Sequence, residues 1–141
     1  MKRAWWVGLF ILLVPCILQG CAIFDRDINQ LPYLLFEQGS SDCRTEDETE
    51  SAAVSVVEGV LTFSGRIATS TPCQHLIPSL TVCGDRILVK VDTILQPGAC
   101  PLCLGMVEYD GGVASLLPGI YHITIKHEDR TLVDLWVTIN S

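Results

Sequence analysis

The chain reads as an all-β protein, a two-layered sandwich of about seven strands preceded by an N-terminal helix and a flexible segment. Three observations carry this reading. From about residue 54 onward, short β-branched runs are broken repeatedly by Gly, Pro and Asp. One hairpin, around Gly84-Asp85, has faces that agree in register. Beyond the first 20 residues there is neither an apolar pattern of helical period nor a repeat of 20–50 residues.

The first 20 residues have the three parts of a secretory signal: basic Lys2 and Arg3, an apolar run over residues 4–18, and small Gly20. That run is about 15 residues, below the ~20 that span a bilayer, and Pro15 disturbs its last turn. Leu18-Gln19-Gly20-Cys21 resembles the lipobox of prokaryotic lipoproteins. The resemblance implies cleavage after Gly20 and lipid on the Cys21 sulfur, which would become the new N-terminus. Two acyl chains anchor stably, because each buried CH₂ contributes about 0.8 kcal/mol. An ordinary cleaved signal and an uncleaved anchor are the alternatives. The implied location is the cell membrane, lipid-anchored on its extracytoplasmic face.

Residues 1–20 are thus expected as signal peptide, 21–53 as a lipid-anchored acidic tether, and 54–141 as the β-sandwich domain. Residues 42–50 are acidic and nearly devoid of apolar side chains, so burial cannot offset the entropy of ordering them. A solvated spacer is the plain reading, and a docking strip for a basic partner or a cation is the functional one. Leu31-Pro32-Tyr33-Leu34-Leu35-Phe36 is an apolar island inside this stretch, able to pack on the domain or lie against lipid.

Strands are expected over residues 60–68, 76–83, 86–95, 104–109, 120–127 and 131–139, with a shorter one over 113–116. With Gly84-Asp85 as a two-residue loop, Val82 faces Ile87 and Leu80 faces Val89, while Thr81, Cys83 and Lys90 point the other way. Tyr121, Ile123 and Ile125 alternate with His122, Thr124 and Lys126, which places His122 on the solvent side. Leu132, Asp134 and Trp136 oppose Val133, Leu135, Val137 and Ile139. Leu117-Pro118-Gly119-Ile120-Tyr121 is a Pro-Gly corner feeding a strand with an early tyrosine, a feature of immunoglobulin-like sandwiches.

Seven cysteines occur in 141 residues. Cys16 leaves with the signal and Cys21 takes the lipid, so Cys43, Cys73, Cys83, Cys100 and Cys103 remain, and at least one of these five is free, metal-bound or paired between chains. Cys73 and His75 follow the first main strand, and Cys100-Pro101-Leu102-Cys103 precedes the strand expected over 104–109. The disulfide reading pairs Cys73 with Cys100 or Cys103. Closing a loop of roughly 28 residues contributes about 3.5 kcal/mol on the chain-entropy model. The metal reading uses Cys73, His75, Cys100 and Cys103 as a zinc or copper(I) ligand set. A redox dithiol at Cys100 and Cys103 is disfavoured, because such pairs open a helix within an α/β unit. A Cys43–Cys83 pair is also open.

The net charge is −7, and removing residues 1–20 takes two of nine basic residues and none of sixteen acidic ones, leaving −9. Nucleic acid is excluded as a partner, since phosphate binding needs clustered Lys and Arg. No Gly-x-Ser-x-Gly elbow, His-Glu-x-x-His or phosphate loop is present. Glu108 and Asp110 share a strand face, and a polar outer surface accounts for them. No catalytic residues, no resident metal and no cofactor are expected, and the chain is not expected to be an enzyme.

Thr-Pro-Cys-x-His-Leu, Cys-x-x-Cys-Leu-Gly-x-Val-Glu-Tyr and Leu-Pro-Gly-x-Tyr-x-Ile, within about residues 59–127, together resemble a group of small prokaryotic (archaeal and bacterial) lipoproteins with one β-sandwich. The resemblance implies a fold and a membrane tether and brings no catalytic residues. The expectation is a lipid-anchored binding or interaction module. It would meet membrane lipid through Cys21 and a protein partner in the cell envelope through its loops or a sheet edge. The alternative is an envelope metal-handling protein using the four residues above.

Overall fold

The computed structural model describes residues 31–140. Cys21 and Gly20, with the whole expected signal, lie outside them. Eight strands follow in order: β1 (Tyr33–Cys43), β2 (Ser51–Val57), β3 (Val60–Thr69), β4 (Gln74–Cys83), β5 (Arg86–Leu95), β6 (Gly105–Ala114), β7 (Gly119–His127) and β8 (Arg130–Ile139). Among the described residues there is no helix.

The strands form two four-stranded sheets, β1-β6-β3-β2 and β4-β5-β7-β8. All neighbours are antiparallel except β5 and β7, which run parallel. The sheets also approach at both margins, β1 beside β4 and β2 beside β8. Alternation dictates the core. Leu61, Phe63 and Ile67 of β3 and Val107, Tyr109 and Val113 of β6 face Ile87, Val89 and Val91 of β5 and Ile123 and Ile125 of β7. The Gly84-Asp85 hairpin has the expected register, with Val82 opposite Ile87 and Leu80 opposite Val89. Gly84 supplies the positive φ of 62° at its first loop position. The Tyr121 hydroxyl donates to Leu117 O at 2.9 Å, closing the Pro-Gly corner.

Two expectations are corrected. Residues 33–43 and 51–53, expected within a flexible tether, form β1 and the start of β2, so the sandwich begins by Tyr33 and has eight strands. In β1 the apolar island alternates: Leu34 and Phe36 pack on the core, while Tyr33 and Leu35 are exposed. The strand earns its order from a face contributed by β6, which no local composition reveals. Likewise the expected segments 104–109 and 113–116 are one strand, β6, running straight through Asp110-Gly111-Gly112. The glycines mark close approach, not a break. A Cβ on Gly111 would lie 2.4 Å from Cζ of Phe63, its cross-strand neighbour. Gly65 leaves matching space for Tyr109, whose Oη would be 2.3 Å from a Cβ there.

Candidate functional site

Four of the five cysteines among the described residues converge on one pole of the sandwich, and Cys83 lies at the other, beside the Gly84-Asp85 hairpin. Cys43 ends β1, Cys73 precedes β4, and Cys100 and Cys103 lie in the loop between β5 and β6. Cys43 pairs with Cys103 and Cys73 with Cys100, across 60 and 27 residues of sequence. The Cys73–Cys100 staple is one of the two pairings anticipated. Cys103 instead joins β1, in the stretch expected as tether, and Cys43 therefore does not pair with Cys83. Cys83 is not a free thiol either.

These bonds fix the loop over residues 96–104, which has little regular backbone pairing of its own. Gln96 N donates to Cys73 O at 3.1 Å, and Arg44 N donates to Leu104 O at 2.7 Å. Beside it, a bulge in β1 between Gln38 and Ser41 re-aims Gln38 toward the other sheet. Its Nε2 donates to Gln74 O at 3.1 Å, while its Oε1 accepts from Leu76 N at 2.9 Å and from His75 Nδ1 at 3.1 Å. The Ser41 hydroxyl donates to Pro72 O. The pole is thus rigid where it meets both sheets. Its tip is apolar and open to solvent: Leu102 is fully exposed, and Leu95 and Leu104 are each 60% exposed.

An acidic turn lies against the tip. Asp42, Glu46 and Asp47 are exposed. Glu48 is committed elsewhere: the Thr45 N–H donating to its carboxylate at 2.8 Å lowers its pKa, as does Arg66 at 3.5 Å. The strip read as a spacer is therefore folded against the loop by Cys43–Cys103 and the Arg44–Leu104 bond.

The proposed metal-ligand set is not assembled. Cys73, Cys100 and Cys103 all have their sulfurs in disulfides, and His75 Nδ1 is held by Gln38. No group of three or more His, Cys, Asp or Glu side chains among the described residues is placed to hold a metal ion. Cys100 and Cys103 each bond a different partner, so they do not form the dithiol pair that redox exchange requires.

A second polar constellation is buried in the core. Tyr109 Oη and His127 Nε2 are 2.6 Å apart, and His127 Nδ1 stands 3.7 Å from Glu50 Oε2, beyond hydrogen-bond distance. Glu50, only 7% exposed at its side chain, accepts from Ala68 N at 3.0 Å and pairs with Arg130. Burial holds the His127 pKa below its usual value despite the Glu50 carboxylate, and burial also raises that of Tyr109. The neutral ring is best assigned a proton on Nδ1, facing Glu50, so that Nε2 accepts from the Tyr109 hydroxyl. No substrate can reach Tyr109 or His127, which are essentially fully buried. The array braces the two sheets. The alternation that placed Tyr121, Ile123 and Ile125 inward extends by two residues to His127; Glu50, in an acidic run, carried no such signal.

His122, expected on the solvent side, is on that outer face but half-buried, 3.1 Å from Asp134. Glu108 and Asp110 do share the outer face of β6, where Glu108 accepts from the Ser40 hydroxyl at 3.0 Å. The chain matches no family model, no curated protein and no solved structure.

Proposed function

We propose that this protein is a lipid-anchored extracytoplasmic lipoprotein whose immunoglobulin-like sandwich works as an interaction module, with the doubly stapled loop as its contact surface. The lipobox-like Leu18-Gln19-Gly20-Cys21 supports the anchor, and the Tyr121 corner supports the immunoglobulin-like grouping. The observation that carries the reading is Leu102, fully exposed on a loop that two disulfides hold in one place. An apolar side chain held rigidly in water gains on binding without a large ordering cost.

Polarity favours a protein over the anchoring membrane as the partner. The chain enters β1 at Tyr33, opposite Ala114, whereas Cys43 is opposite Gly105 at the other pole. Eleven residues of strand at about 3.3 Å each put the tip some 35 Å from that point. Exposed Asp42, Glu46 and Asp47 beside the tip oppose an anionic lipid surface. They complement a partner whose apolar pocket has a basic rim.

Two measurements test the proposal separately. Mass spectrometry of the native protein should show a peptide beginning at Cys21 with a diacylglyceryl-sized addition; an unlipidated N-terminus removes the anchor. A photo-crosslinking residue at position 102 in intact cells should give one defined protein adduct, lost on Leu104→Asp. No adduct at 102, or equal labelling from position 115 at the opposite pole, would discard the contact surface.

A further inference from the structure

The outer face of the β4-β5-β7-β8 sheet gathers half of the basic side chains of the described residues, together with Asp92 and Asp134. The described residues contain six Lys and Arg side chains, and three of them, Arg86, Lys90 and Lys126, stand on this face. Lys90 is opposite Lys126, an arrangement that costs stability unless compensated. Asp92 at 2.9 Å compensates Lys90. Among the described residues Arg86 and Lys126 have no ion-pair partner.

These two cations border a groove of about 310 Å³ whose lining also includes Thr81, Cys83, Leu88, His122 and Thr124. Across the sheet, Arg86 is opposite His122 and His122 opposite Trp136. At about 4.8 Å per strand, Trp136 lies roughly 10 Å from Arg86. Trp136 is 61% exposed, and the His122 ring packs on it with centroids 4.9 Å apart. Asp134 fixes this corner, 3.1 Å from His122 Nε2 and accepting from the Thr124 hydroxyl at 2.9 Å. A large aromatic surface is thus left in water beside an oriented carboxylate–imidazole pair and two uncompensated cations.

We propose that this groove binds an acidic saccharide. One sugar ring packs its C–H face on the indole of Trp136. Its hydroxyls meet Asp134, His122 and Thr124, which together offer acceptors and donors. The anionic substituent pairs with Arg86, whose fork suits carboxylate, phosphate or sulfate, and a second anionic group reaches Lys126. The alternatives use less of the surface. A bare anion leaves Trp136 unused, and a neutral sugar leaves Arg86 and Lys126 unused. Nucleic acid brings a charge density that a chain of net charge −7 opposes. The site is separate from the stapled pole and does not depend on its role.

The test uses the full chain and four probes: trigalacturonate, a sulfated disaccharide, maltotriose and inorganic phosphate. Titration calorimetry measures affinity, and the Trp136 indole N–H resonance, identified by its loss in Trp136→Phe, reports location. Trigalacturonate or the sulfated disaccharide should shift that resonance saturably, and whichever binds tighter identifies the anionic group. Arg86→Gln should weaken binding about ten-fold, the ~1.4 kcal/mol of one charge-assisted contact. Trp136→Ala should abolish detectable binding while Trp136→Phe retains most of it. Both positions are on an outer face, so folding is expected to survive and is checked by the thermal midpoint. The proposal is overturned if neither acidic sugar shifts the resonance, if maltotriose or phosphate binds as tightly, or if the variants bind like the parent.

Discussion

The Tyr109 hydroxyl and His127 Nε2 stand 2.6 Å apart in the core, and this single bond joins β6 of one sheet to β7 of the other. Phe36 stacks on the Tyr109 ring with centroids 5.5 Å apart, and the imidazole meets that ring edge-on at 5.6 Å. A polar pair in such a setting has no water to fall back on, so each atom depends on the other.

Tyr109→Phe keeps the ring and removes the donor, stranding His127 Nε2. The expected cost is about 1–3 kcal/mol, the range for an unsatisfied buried acceptor, read as a lower urea midpoint with an unchanged slope. A change within about 0.5 kcal/mol would place the bond among the dispensable ones.

The same histidine makes stability depend on pH. Burial lowers its folded pKa, while the unfolded chain has the ordinary value near 6.5. Below that value the unfolded state takes up a proton that the folded state resists. Stability is therefore intact above about pH 6.5 and declines as pH falls from there through the lowered folded pKa. His127→Phe should flatten that part of a stability–pH curve; an unchanged slope would assign the acid sensitivity elsewhere.

Peptide mapping under non-reducing conditions should recover Cys43 linked to Cys103 and Cys73 linked to Cys100. Replacing the Cys73–Cys100 pair by serines should cost about 3.5 kcal/mol, and the Cys43–Cys103 pair, closing the longer loop, about 4 kcal/mol. A recovered Cys100–Cys103 peptide would instead restore the redox reading.

Gly111→Ala tests the reading of β6 as one strand. The added methyl would have to share space with the Phe63 ring and with Leu35 O, 2.7 Å from its position. Overpacking of this kind costs about 1–3 kcal/mol. If residues 110–112 were a break between two strands, alanine there would be neutral.

The β3–β8 region shows how far local patterning reaches. Val82, Ile87, Tyr121 and Ile125 all face as their two-residue period dictates, because alternation is a property of each strand on its own. Where the pattern failed, the missing information was non-local. Gly111-Gly112 looks like a turn until Phe63 is placed over it. Residues 42–50 look like solvated spacer until Cys43 meets Cys103 and Glu50 meets Arg130, 80 residues away. His122 and Trp136 are 14 positions apart, and only pairing of β7 with β8 brings their rings together.

By itself, the sequence determined the all-β class, the inward faces of most strands, the concentration of cysteines and the expectation of a lipid anchor at Cys21. Those follow from periodicity, composition and a short contiguous motif, each readable within a few residues. Only the tertiary structure decided which cysteines pair, that the acidic stretch belongs to the sandwich, and which side chains share the stapled pole and the basic groove. These depend on contacts between strands distant in sequence, whose entropic cost of closure is met only when the whole sandwich forms.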